Sequence, residues 1–180
     1  MNPHAQPFFP RQKPATQGPL FKLLLTNAFG LLSKFGEFQH TVMSTCPDIA
    51  IVTETKLTSE KCTAMDVTLP GYSPPIRRDR TAQGGGVAVW VRSGLAYSHM
   101  EQITCGDLEV IWLTVQLQTG CRVTVCAAYR PGSCADNDIS ILEHIDSTTD
   151  RVRQQGAKLV IAGDFNVHNS SWLQSSRTSL

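Results

Sequence analysis

Five polar residues stand where apolar runs stop. Asn27 follows FKLLLT, Glu54 follows DIAIVT, Tyr129 closes an alternating run that begins near Cys121, and Asp164 and Asn166 follow the run KLVIAG. In α/β proteins, sites are assembled at the carboxyl ends of strands, because a rigid strand fixes the group and the loop after it leaves the group accessible. Taken singly, each residue has a plain structural reading: Asn27 as a turn residue, Glu54 as a solvated acid beside Lys56, Tyr129 as a half-buried strand end, Asp164 and Asn166 as turn caps. Taken together they have a chemistry. Two carboxylates and two carboxamides are hard oxygen ligands, which suit Mg²⁺ or Mn²⁺ rather than zinc. A tyrosine hydroxyl and amide N–H groups can hydrogen-bond phosphate oxygens. Hydrolysis of a phosphate ester needs both, since charge must be stabilised on the phosphoryl oxygens while a water is deprotonated and aimed.

The elements that would position these groups are legible in the periodicity. Phe21 to Thr26 is a short apolar strand, and Leu31, Leu32, Phe35, Phe38, Val42 and Met43 then recur at helical spacing over Gly30 to Thr45, before Pro47. Asp48 to Thr53 is a second strand, completing a βαβ-like opening. After QGGG the period changes to two: Val87, Val89 and Val91 alternate with Ala88, Trp90 and Arg92. Ile111 to Gln118 and Cys121 to Tyr129 alternate on either side of Thr119-Gly120, which predicts a hairpin. A weaker helix is expected over Ile139 to Val152, then a buried strand from Lys158 to Ala162. The fold class is α/β, with mixed strand pairing and helices covering the sheets.

Composition narrows the setting. The 180 residues have room for one domain with a sizeable core. Residues 1–20 are proline-rich without a continuous apolar run; we expect a disordered leader there, neither signal peptide nor membrane span, and a single domain over 21–180. No apolar stretch is long enough to cross a membrane. The expected location is intracellular, nucleus or cytoplasm. The six cysteines include no C-x-x-C pair and are expected to be reduced thiols. A net charge of +1 names no partner.

Five blocks occur in a telling order: TNAFGL (Thr26 to Leu31), TETKL (Thr53 to Leu57), RRDRTAQGGGVAVWV (Arg77 to Val91), AAYRPG (Ala127 to Gly132) and GDFNVH (Gly163 to His168). They resemble the endonuclease/exonuclease/phosphatase family, and within it the target-nicking endonuclease domain encoded by non-LTR retrotransposons, over about Phe21 to Trp172. The resemblance implies a four-layered α/β sandwich: two mixed β-sheets face to face, with helices outside. It implies roles as well. Asn27 resembles the asparagine near metal and scissile phosphate, Glu54 the metal-binding glutamate, and Tyr129 the tyrosine on the phosphate. Asp164 resembles the aspartate that orients or deprotonates the attacking water, and Asn166 the asparagine that stabilises the transition state. The implied cofactor is Mg²⁺ or Mn²⁺, and the implied partner is DNA. Arg78 and Arg80, flanking Asp79, and Arg130 are expected as contacts to the DNA backbone, with an ordinary solvated loop as the alternative for the first two.

His168 is expected to be a loop residue, because the family's catalytic histidine comes from a Ser-Asp-His segment that this sequence does not contain. That departure predicts a C-terminally incomplete sandwich and weak or no nuclease activity, since a general acid or base contributes about 10² to 10⁴ in rate. Two other functions stay open at this point: a non-catalytic remnant that binds nucleic acid or a protein, and a phosphatase acting on a small phosphate ester.

Overall fold

The computed structural model describes residues 20–80, 84–101, 108–131 and 135–166. The proposed leader (apart from Leu20), His168, Cys105 and Cys134 lie outside the described residues.

Among the described residues, eight strands form two four-stranded sheets. In the first, β1 (Leu23–Asn27) pairs parallel with β2 (Ile49–Thr53), and β4 (Val87–Val91) lies antiparallel to both β2 and β3 (Ile76–Arg78). In the second, β5 (Ala96–His99), β6 (Val110–Gln116) and β7 (Arg122–Tyr129) form an antiparallel run, and β8 (Lys158–Asp164) joins β7 in parallel. Helix α1 (Phe35–Thr45) makes the crossover from β1 to β2, and α2 (Ala135–Gln154) that from β7 to β8.

Three cores separate four layers. Ile49, Ile51, Val87, Val89 and Val91 of the first sheet meet Ile111, Leu113, Val115, Val123, Val125 and Ala127 of the second. The outer face of the first sheet, Ala50, Val52, Ala88 and Trp90, packs on Phe38 and Val42 of α1. Val110, Trp112, Cys126 and Ala128 of the second pack on Ile141, Ile145 and Val152 of α2. The chain is therefore the four-layered sandwich that the five blocks imply. Alternation along β4 and β6 divides one apolar core from another rather than core from water, which is why Trp90 and Trp112 are both buried. Each Val, Leu or Ile buried this way contributes about 1.5–3 kcal/mol, and each indole N–H finds an acceptor, Val67 O at 2.8 Å and His144 Nε2 at 3.2 Å. Burial lowers the His144 pKa, consistent with the neutral imidazole that this acceptor role needs. Cys126, packed in the same layer, has its thiol pushed up to about 12 by burial, so it stays protonated and unreactive.

The expected helix over Gly30 to Thr45 splits into a turn of 3-10 helix, Leu32–Lys34, and α1 proper. The tighter turn shifts the phase, so Leu32 is half exposed while Leu31 is fully buried. Helix α1 ends on Cys46 in the left-handed region, with its N–H on Val42 O at 2.8 Å. The predicted hairpin joins β6 to β7: Leu117 N–H donates to Cys121 O at 2.8 Å and Gly120 turns the chain at positive φ. Strands β3 and β5 carry no periodic signal, being three and four residues long, and β5 is exposed throughout. Among the described residues, no helix is long and apolar enough to cross a membrane.

Candidate active site

The two parallel pairs, β1 with β2 and β7 with β8, bring their carboxyl ends to one place. Asn27, the last residue of β1, donates through Nδ2 to Glu54 Oε1 at 3.0 Å and to Asp164 Oδ2 at 2.8 Å. One amide thus links a carboxylate from each sheet, 137 residues apart in the chain in the case of Asp164. Its own Oδ1 accepts the Phe29 N–H at 2.9 Å, which fixes the amide's orientation. The Tyr129 hydroxyl donates to Glu54 Oε1 at 3.1 Å.

Glu54 is placed by backbone. Its φ of 50° and that of Lys56 at 52° are left-handed, which side-chain-bearing residues avoid unless surroundings impose it. Here the neighbours do impose it. Ala28 N–H donates to Thr53 O at 3.0 Å, Gly30 N–H to Glu54 O at 2.8 Å and Leu31 N–H to Thr55 O at 2.9 Å, while Thr55 and Lys56 donate in turn to Gly86 O and Gly85 O. The last two bonds explain the glycines of QGGG. Both have positive φ, and a Cβ on Gly86 would run into Thr55 Oγ1, one on Gly85 into the Glu109 carboxylate.

Asp164 is placed by strand pairing. It ends β8 opposite Tyr129 on β7, after a Gly163 whose Cβ would strike the Ala128 carbonyl, so only glycine lets β8 sit at this spacing. Arg130 N–H donates to Asp164 O at 2.9 Å, and Arg130 Nη1 donates to Phe165 O at 2.7 Å and Asn166 O at 3.0 Å.

Burial and the hydrogen bond to Glu54 push the Tyr129 phenol up to about 12, so it remains a neutral donor at any physiological pH. Glu109, which the sequence reading did not single out, is buried beside the glycines. It accepts the Gly86 N–H and pairs with Arg80 Nη1 at 3.3 Å. Burial raises its pKa, offset in part by the Gly86 N–H and by Arg80. An acid immediately before an alternating apolar run was the signal available for it.

Four of the five strand-end residues, Asn27, Glu54, Tyr129 and Asp164, form one hydrogen-bonded cluster. Asn166 joins it through its backbone N–H, 3.3 Å from Asp164 Oδ1, while its Nδ2 donates to Arg130 O at 2.8 Å. The arginines are engaged with the protein: Arg78 Nε donates to Leu108 O at 3.2 Å, Arg80 meets Glu109, and Arg130 holds the loop after β8. His40, His99 and His144, on α1, β5 and α2, make none of the cluster's hydrogen bonds. Two carboxylates within reach of a single amide nitrogen, with oxygen donors only, fit a hard divalent cation such as Mg²⁺ or Mn²⁺. Among the described residues, no group of three or more His, Cys, Asp and Glu side chains converges, so a cation at the cluster would rest on two carboxylates with amide oxygens and water completing its shell.

A sandwich with this acidic and amide cluster at its strand ends defines a class. The Endonuclease/Exonuclease/phosphatase family matches residues 24–179, and the chain belongs to that family. The chain is 27% identical over 155 residues to the RNA-directed DNA polymerase from mobile element jockey of Drosophila melanogaster, a match covering 86% of this chain and 16% of that protein. Among solved structures it is similar to the endonuclease domain of TRAS1, a telomere-specific non-LTR retrotransposon, at a TM-score of 0.61 and 16% identity, over 85% of this chain and 62% of that one. It is also similar to the AP endonuclease LMAP from Leishmania major, at a TM-score of 0.68 and 17% identity, over 90% of this chain and 60% of that one. The chain thus spans a small fraction of the curated relative and about three-fifths of these two structural neighbours.

Proposed function

We propose that this chain is a DNA-cutting module of mobile-element origin, which hydrolyses a phosphodiester with a divalent cation at the Asn27, Glu54, Asp164 cluster. The observation that carries the reading is the Asn27 amide held between Glu54 and Asp164, which gives two carboxylates from two sheets one common centre. Membership of the family and the likeness to the jockey protein and the TRAS1 endonuclease domain support it.

Glu54, with Asn27 and Asp164 beside it, would hold Mg²⁺ or Mn²⁺, which supplies charge neutralisation on the phosphoryl oxygens. The protein's own groups do the rest. Asn27 keeps the carboxylates at a fixed separation. Asp164, whose Oδ2 lies on Asn27 and whose Oδ1 lies on the Asn166 N–H, orients the attacking water and takes its proton. Tyr129, a neutral phenol, donates to a non-bridging phosphate oxygen when the substrate displaces its bond to Glu54. Asn166 stabilises the negative charge of the transition state, and Arg78, Arg80 and Arg130 shape the loops along which the DNA strand lies. Purified chain incubated with supercoiled plasmid and Mg²⁺ or Mn²⁺ should nick it, and EDTA or Asp164→Ala should abolish the nicking. Nicking that survives Asp164→Ala, or wild-type chain that never nicks, defeats the reading.

A further inference from the structure

Phe29 is the most conspicuous side chain beside the site, for three reasons that arise separately. It is 68% exposed. Its φ is 47°, a left-handed conformation that bulky residues avoid and that glycine or asparagine adopts at less cost. And it is held there, not loose. Its N–H donates to Asn27 Oδ1, the bonds from Ala28 N–H to Thr53 O and from Gly30 N–H to Glu54 O tie down the residues on either side, and the Lys56 ammonium sits 3.4 Å from its ring centroid. Lys34 Nζ lies 6.0 Å from the same centroid and donates to Ala28 O at 2.7 Å. The pair is thus built from two loops: Phe29 two residues beyond Asn27, Lys56 two residues beyond Glu54.

An exposed ring in a disfavoured conformation, fixed against the catalytic cluster and flanked by two ammonium groups, does nothing for the core. It matches the chemistry of a nucleotide, which offers an aromatic face and an anionic phosphate. The chain's net charge of +1 provides little long-range attraction for a polyanion, so affinity must come from local contacts of this type. We propose that Phe29 is a stacking platform for the base of a nucleotide next to the scissile phosphate, with Lys56 and Lys34 facing the adjoining phosphates. The proposal rests on the phosphodiester-cutting reading, and it makes an unpaired or unstacked nucleotide of DNA the group recognised.

The test measures binding, with Ca²⁺ replacing Mg²⁺ to hold back cleavage. A fluorescein-labelled single-stranded oligonucleotide of about a dozen residues is compared with versions that each lack one base, by anisotropy at low salt, using the whole chain. Base–aromatic stacking is worth about tenfold in affinity. Wild-type chain should lose about tenfold when one particular base is missing. Phe29→Ala should bind the intact strand about tenfold more weakly and be indifferent to the missing base, while Phe29→Tyr should restore both affinity and sensitivity. Phe29→Gly should bind as weakly as Phe29→Ala yet unfold at a higher temperature, because glycine relieves the left-handed backbone; a folding defect would give the opposite shift. The proposal is overturned if Phe29→Ala matches wild type, if it still senses the missing base, or if wild-type chain binds no oligonucleotide. A chain that stacks a base but nicks no plasmid defeats the hydrolytic reading and leaves the platform standing. A chain whose nicking keeps the wild-type KM in Phe29→Ala defeats the platform alone.

Discussion

The two carboxylates of the cluster are delivered by strands of opposite character. Strand β2 is central in its sheet and buried at all five positions, whereas β8 is, among the described residues, the outermost strand of its sheet and only partly covered. Glu54 is consequently held by backbone, through a left-handed turn cross-tied to the loops after β1 and before β4. Asp164 is placed by pairing with Tyr129 on β7 and then braced by side chains, with Asn27 on its carboxylate and the Arg130 guanidinium on the loop beyond it. A central strand can pass rigidity directly to its loop; an edge strand needs braces from its neighbours. Damage to the two should therefore look different.

The largest effect is expected where the backbone brace fails. Gly86→Ala adds a Cβ against Thr55 Oγ1 at a positive φ, so the turn carrying Glu54 must shift. We expect about 2 kcal/mol of destabilisation, which for a domain of this size is a fall in Tm of about 4–8 °C, and a loss of nicking of about a hundredfold from the misplaced carboxylate. Differential scanning calorimetry and plasmid nicking check the two halves separately. On the other side, Arg130→Ala removes a guanidinium from Phe165 O and Asn166 O but leaves β8 paired with β7. A loss of about 1 kcal/mol is expected, with nicking reduced about tenfold. If Arg130→Ala proves as damaging to Tm as Gly86→Ala, the contrast between the two modes of support is wrong.

The smallest effect concerns Glu109, which braces the glycines from below. Because burial raises its pKa, the folded chain holds that proton more tightly than the unfolded chain does. Its contribution is fully present below the ordinary carboxylate pKa and is lost as pH rises through the window up to the raised value. Tm recorded across the mildly acidic range should show that decline in wild type, and Glu109→Gln should flatten it. An unchanged slope in the variant would place the titration elsewhere.

Much of the fold was legible because apolar strands announce themselves twice, by period and by where they stop. The runs ending at Asn27, Glu54 and Asp164 placed the members of the hydrogen-bonded cluster to within a residue or two, and the hairpin at Gly120 followed from alternation around a turn. What stayed illegible was short or long-range. Strands β3 and β5 are too brief to show a period, and their place comes only from pairing with β4 and β6. Arg80 reads as a contact to the DNA backbone or as a solvated loop residue until Glu109 is seen opposite it, 29 positions on. Phe29 reads as one more apolar residue leading into a helix, and its conformation and exposure belong to the tertiary ties around Asn27 and Glu54. Gly163 was visible as a residue, but the reason for it, a carbonyl on β7, was not.

The central claim is that Glu54 and Asp164, one from each sheet, act as a single centre joined through Asn27. The direct test is a double-substitution cycle on the plasmid-nicking rate, using Glu54→Gln and Asp164→Asn, which keep the size of each side chain and leave an oxygen for the Asn27 amide. Each single change is expected to lower the rate by about a hundredfold or more, and groups that act as one unit lose little more when both are changed. We predict a double variant within about tenfold of the worse single one; losses that multiply would show two independent groups and contradict the account.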